Sequence, residues 1–138
     1  MSSAMFTDHG EWNQELEEHL MGLGDDLAPA ELVLLDVDAE LERQDQLWGD
    51  QSHLPNGTSE GLRLLADEFR AIADHNHKTG KLSFADILSE EFYEALSETD
   101  EEKLEIELIQ VAAVASQWVK AIRTRRARVA EDSDALHQ

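Results

Sequence analysis

The stretch Leu104–Ile122, LEIELIQVAAVASQWVKAI, decides the fold. Its apolar residues recur at three and four positions rather than alternating, the period of a helix, and Leu104, Leu108, Val111, Ala115, Trp118 and Ile122 form its main seam. A helix apolar nearly all round belongs at the buried centre of a bundle. Asp100 is placed to cap its start, and the pattern carries it to about Arg126, ahead of a polar tail, 129–138, that is expected to fray.

Working outward, the segments before it have the same period. Ser83 is placed to cap a helix whose stripe is Phe84, Ile87, Leu88, Phe92 and Ala95. A further helix is expected from about Glu60 to Lys78, showing Leu62, Leu65, Phe69 and Ile72 on one face and stopping at Gly80. Pro29 suits a first helical turn, and Leu34, Val37, Leu41 and Trp48 follow at core spacing toward Gly49. Between these last two helices WGDQSHLPNGTS, 48–59, reads as a loop, long enough to carry function. Residues 1–28 form an acidic arm in which Glu11–Met21 can make one short helix before Gly22, Gly24, Asp25 and Asp26 break it. The expectation is an all-α bundle of four main helices over 29–128, flanked by an arm and a tail.

Composition narrows the chemistry. With 31 Asp and Glu against 11 Lys and Arg the formal charge is −20, which repels nucleic-acid phosphates and anionic membranes, so no direct nucleic-acid binding is expected. No apolar run is long enough to span a bilayer and no signal peptide opens the chain, so a cytoplasmic protein is expected. There are no cysteines, which leaves carboxylates and histidines as metal ligands.

Two helices then carry carboxylates on the wrong face. At about 100° per residue Glu91 falls inside the apolar stripe of the helix behind Ser83, with Glu94 and Glu98 along its edge, whereas Asp86 and Glu90 point toward solvent. In the final helix Glu107 sits between Leu104 and Val111, with Gln110 one turn on. Burying unpaired carboxylates costs several kcal/mol or more, and a divalent cation such as magnesium or manganese offsets both their desolvation and their mutual repulsion. The competing reading pairs Glu91 and Glu107 with Arg63, Arg70, Lys103 or Arg123, or leaves them at a wet edge of the bundle.

Glu91-Phe-Tyr-Glu94 and Glu107-Leu-Ile-Gln110 on consecutive helices resemble the paired signature, Glu-x-x-Glu then Glu-x-x-Asp, of the MazG-like all-α nucleoside triphosphate pyrophosphohydrolases. The resemblance covers roughly residues 38–126, and ERQDQLWGDQSHLPNGT looks like the loop segment of small bacterial and phage members. It departs at Gln110, where the family commonly has its fourth acidic ligand. The resemblance implies a homodimer or homotetramer that binds magnesium through Glu91, Glu94 and Glu107, which are also the catalytic residues it implies. The products would be a nucleoside monophosphate and pyrophosphate. Gln110 can coordinate through its carbonyl but brings no charge, and Glu98 is the nearest substitute.

Other features are secondary. Arg43, Trp48, His53 and Asn56 could hold a base or ribose, with Trp48 equally readable as a core plug. Lys120, Arg123, Arg125, Arg126 and Arg128 can contact phosphate or simply suit a helix C-terminus. His75-Asn76-His77 reads as helix-end residues. The competing function is a non-catalytic acidic interaction module or nucleic-acid mimic; a ferritin-like di-iron centre lacks its paired Glu-x-x-His motifs.

Overall fold

The computed structural model describes residues 26–137; the short helix expected at Glu11–Met21 lies outside them. Four α-helices follow: α1 Pro29–Trp48, α2 Arg63–Lys78 behind a 3₁₀ turn at Glu60–Leu62, α3 Phe84–Ser97 and α4 Glu101–Leu136. Among the described residues there is no strand, and no helix is long and apolar enough to cross a membrane.

The helix ends follow local chemistry. Gly49 and Gly80 sit at φ 66° and 72°, left-handed backbone that stops α1 and the turn after α2 where a side chain would be strained. Ser83 caps α3 in a reciprocal capping box with Asp86, and the Asp100 carboxylate accepts from the amides of Glu102 and Lys103 to start α4. The solvent-facing role expected of Asp86 is thereby corrected: its carboxylate is held by Ser83 and by Asn76 of α2 at 2.9 Å.

α2 and α3 form the tightest pair, and α3 folds back along the first half of α4. Small residues dominate the interior: Ala66, Ala73 and Ala95 are buried together with Val33, Leu104 and Ser97, whose hydroxyl donates to the Glu94 carbonyl at 2.9 Å. Stacked rings close the edges, Phe69 on Tyr93 at 4.8 Å and Phe84 on Trp118 at 5.8 Å.

α1 touches only α4. Its buried residue is Val33, at 2% exposure, and the expected core series Leu34, Val37, Leu41 and Trp48 is exposed. Trp48, 65% exposed, is no core plug. Leu65 and Ile72 of α2 are likewise only half-covered. The apolar spacing was correctly helical, but the four described helices leave several apolar faces exposed.

The tail also differs from expectation. α4 does not end near Arg126 but continues through Leu136, because RARVAEDSDAL contains no glycine or proline to stop it. The basic residues Arg123–Arg128 therefore lie inside the helix rather than at its C-terminus.

Ala95→Leu, which forces extra methylenes into the α2–α3 contact, is expected to destabilise the fold by about 1–3 kcal/mol. Ser83→Ala removes a cap and is expected to cost about 1 kcal/mol. Urea unfolding followed by circular dichroism measures both.

Candidate metal centre

Where α3 crosses α4, Glu91, Glu94 and Glu107 each direct one carboxylate oxygen to a common point, the three oxygens lying within 4.8 Å of one another. The helical spacing explains the grouping: Glu91 and Glu94, at i and i+3, share one surface of α3, and Glu107 meets them from α4, between the buried Leu104 and the half-buried Val111. All three side chains are half-buried.

Their environment is electrostatically costly. Burial, followed by the charges of Glu94 and Glu107, pushes the Glu91 carboxyl above the usual range. Burial, followed by Glu94 and Glu98, does the same to Glu107, with Arg63 and Arg70 opposing it weakly. Such a shift marks a place where the ionised form lacks a partner.

Two groups supply partial compensation. Arg70 of α2 pairs with Glu94 and reaches Glu90 at 3.6 Å. Glu90 is thus not simply a solvent-facing residue: it is half-buried, and burial, followed by Glu94, raises its carboxyl too. Gln110, in the amide orientation that satisfies its neighbours, donates to Glu91 Oε2 at 3.0 Å and to Glu107 Oε2 at 3.2 Å. It holds two carboxylates as a neutral clasp. Of the four cations considered as partners for Glu91 and Glu107, none pairs with either among the described residues.

The remaining candidates are distributed differently. Glu98 lies outside the cluster and accepts from the Asp100 amide at 3.0 Å, so its carboxylate braces the α3–α4 turn. Arg43 is held by Glu40 on the exposed side of α1, and this bonding, with Gln44 second, draws the Glu40 carboxyl down to about 2. Arg123 pairs with Asp36 of α1, some four turns of helix beyond Glu107, so neither arginine is brought to the carboxylates. The loop is closer: Ser59 donates its amide to the Leu96 carbonyl at 2.9 Å, and Asn56 Nδ2 donates to Glu101 at 3.3 Å. That anchors the loop beside the α3–α4 turn, with His53 and Trp48 exposed on it.

Arg70 was legible only as one of several possible partners. Its i, i+3, i+4 neighbours on α2 do not reveal which carboxylates α3 will present to it, so the pairing with Glu94 and Glu90 required the helix crossing. Comparison with protein-family models, curated proteins and solved structures returns no match.

The donor set suits a hard divalent cation: three carboxylate oxygens close enough to share one ion, without sulfur or imidazole. Because the Glu90, Glu91 and Glu107 carboxyls are raised in the fold, their contribution to stability is complete below pH 4.5 and is lost as pH rises through their shifted values. A bound cation favours the ionised forms and opposes that loss. Magnesium or manganese is therefore expected to raise the melting temperature little at pH 4.5 and progressively more toward neutral pH, read by thermal melting against a chelator.

Proposed function

We propose that the chain is a magnesium- or manganese-dependent nucleoside triphosphate pyrophosphohydrolase, converting a nucleoside triphosphate and water to the monophosphate and pyrophosphate. The observation carrying this reading is the convergence of Glu91, Glu94 and Glu107 from two helices to within 4.8 Å, the same residues singled out by the MazG-like spacing. Glu91, Glu94 and Glu107 would hold the cation. When bound, the ion supplies charge neutralisation for the triphosphate and a water acidic enough to attack between the α and β phosphates.

The protein's own residues have distinct parts in this proposal. Arg70, half-exposed beside Glu94 and Glu90, offers the guanidinium nearest the cluster to an incoming phosphate. Gln110 must release its amide from Glu91 and Glu107 and turn its carbonyl inward to join the ligand set. Asn56, bonded to Glu101 at the start of α4, and the exposed His53 of the same loop would make the base or ribose contacts. Association as a dimer or tetramer is part of the same proposal. Its support is the exposed apolar surface of α1 and α4, with Leu34, Val37 and Ile109 lining a groove of 330 Å³ and Leu41 exposed further along α1.

The competing reading, a non-catalytic acidic module for a basic partner, draws on the same site. Arg70 pairs with Glu94 and Gln110 donates to Glu91 and Glu107, so the cluster is partly compensated by the protein's own groups.

Pyrophosphate release from a panel of standard and damaged nucleotides, with magnesium or manganese, separates the two. Release is expected from at least one nucleotide and is expected to be lost in Glu91→Gln and Glu107→Gln while both variants stay folded. No release from any nucleotide, with metal binding intact, would leave the acidic module. Gln110→Asp adds a fourth negative ligand and is expected to tighten metal binding about tenfold, measured by calorimetry.

A further inference from the structure

Arg70 passes over the partners its own helix offers. Asp67 and Asp74 stand at i−3 and i+4 on α2, the positions from which a carboxylate commonly holds an arginine, yet the ion pairs of Arg70 are with α3. Its Nη2 donates to Glu94 Oε1, and its Nε lies 3.6 Å from Glu90 Oε1, inside ion-pair range but too far for a hydrogen bond. Glu90 and Glu94 are one turn apart on α3, so a single guanidinium reaches both, with one contact closed and the other open.

The two acids differ in what else they face. Glu94 directs an oxygen to the point it shares with Glu91 and Glu107, whereas Glu90 is outside that group. Glu94 is also the better enclosed, its side chain 14% exposed against 24% for Glu90 and 51% for Arg70. Arg70 therefore lends positive charge to one member of the trio from the wet side, through a side chain with room to move.

Arg70 and a divalent cation make the same demand on Glu94. A carboxylate that ligates an ion has less charge left for a neighbouring guanidinium, and two positive groups sharing it repel each other. Glu90 is spared that loss because it is not one of the three. For Arg70 the balance then moves from Glu94 to Glu90, across a contact that already stands at 3.6 Å.

We propose that Arg70 is a built-in competitor of the cation, giving up Glu94 when a divalent ion binds and being retained by Glu90, which serves as its positioning residue. The exchange rests on the metal reading of the trio proposed above and adds an order to it. Arg70 becomes free to meet a phosphate only after the cation has taken Glu94, and Glu90 then keeps the guanidinium beside the site. Glu90 itself touches neither ion nor substrate.

Calorimetry with manganese alone, on the full chain and with circular dichroism checking each variant, reads the competition without any nucleotide. Arg70→Gln removes the competitor and is expected to tighten manganese binding about tenfold, the scale on which groups that hold metal ligands act. Glu90→Gln, a neutral change of the same shape, leaves Arg70 only Glu94 and is expected to weaken binding about tenfold. In the double variant the loss caused by Glu90→Gln is expected to disappear, because Glu90 acts through Arg70. A carboxylate acting on the ion by its charge alone would cost the same in either background. Unchanged or weaker binding in Arg70→Gln, or a Glu90→Gln loss that persists in the double variant, would overturn the exchange and leave the metal site standing. No manganese bound by the unaltered chain would remove the metal reading itself, and the exchange with it.

The unaltered protein supplies a readout that no folding defect can mimic. On titration with magnesium the Arg70 Nε–H resonance is expected to move downfield as Glu90 closes on it, and to make no such move in Glu90→Gln. An Nε–H resonance indifferent to magnesium in a chain that binds the ion refutes the handover.

Discussion

The constraint on which the rest depends is the need to cover α4, a helix whose first half is apolar nearly all round. α3, with α2 packed tightly behind it, covers one side of that half, and α1 lies along another. Most of what is enclosed is small, with Ala66 and Ala73 of α2 and Ala95 of α3 buried. Large apolar residues are then left outside, among them Leu34, Leu41 and Ile109. The self-association proposed above would cover these faces, and the high negative charge limits which partners can approach them.

The same covering creates the electrostatic tension at the carboxylates. Folding α3 back on α4 brings Glu91 and Glu94 over Glu107, and partial burial removes the water that would otherwise screen them. Arg70 reaches across from α2 and Gln110 bridges two of the three, so the site is tolerated as it stands. Burial and the neighbouring acids still hold Glu91 and Glu107 above the ordinary carboxyl range. A divalent cation, as proposed above, would offset the charge that Arg70 and Gln110 leave unmet. The glutamine supplies less of that charge than a fourth acid would, while its amide provides the clasp.

The last helix meets different neighbours along its length. Its first half carries Glu107 and Gln110, its middle meets α1 through Arg123 and Asp36, and the residues of its last turns are exposed.

Helical period, capping residues and glycine stops were enough to define all four helices before any coordinates, because each depends on neighbours within about one turn. Glu91, Glu94 and Glu107 were legible for a related reason: a carboxylate within an apolar stripe breaks a local pattern. The sequence likewise contained Gln110 as the odd member of that set. What it did not determine was which apolar residues would be buried, since Val33 rather than Leu34 or Leu41 faces α4 and periodicity does not rank the residues of a broad stripe. Nor did it determine that Arg70 would serve Glu94 and Glu90, that Glu98 would brace a turn, or that Arg123 would be held by Asp36 far from the carboxylates. Those outcomes depend on the angle and depth at which helices cross, and such geometry is settled by side-chain packing between segments distant in the chain, where a sequence read one helix at a time has no purchase.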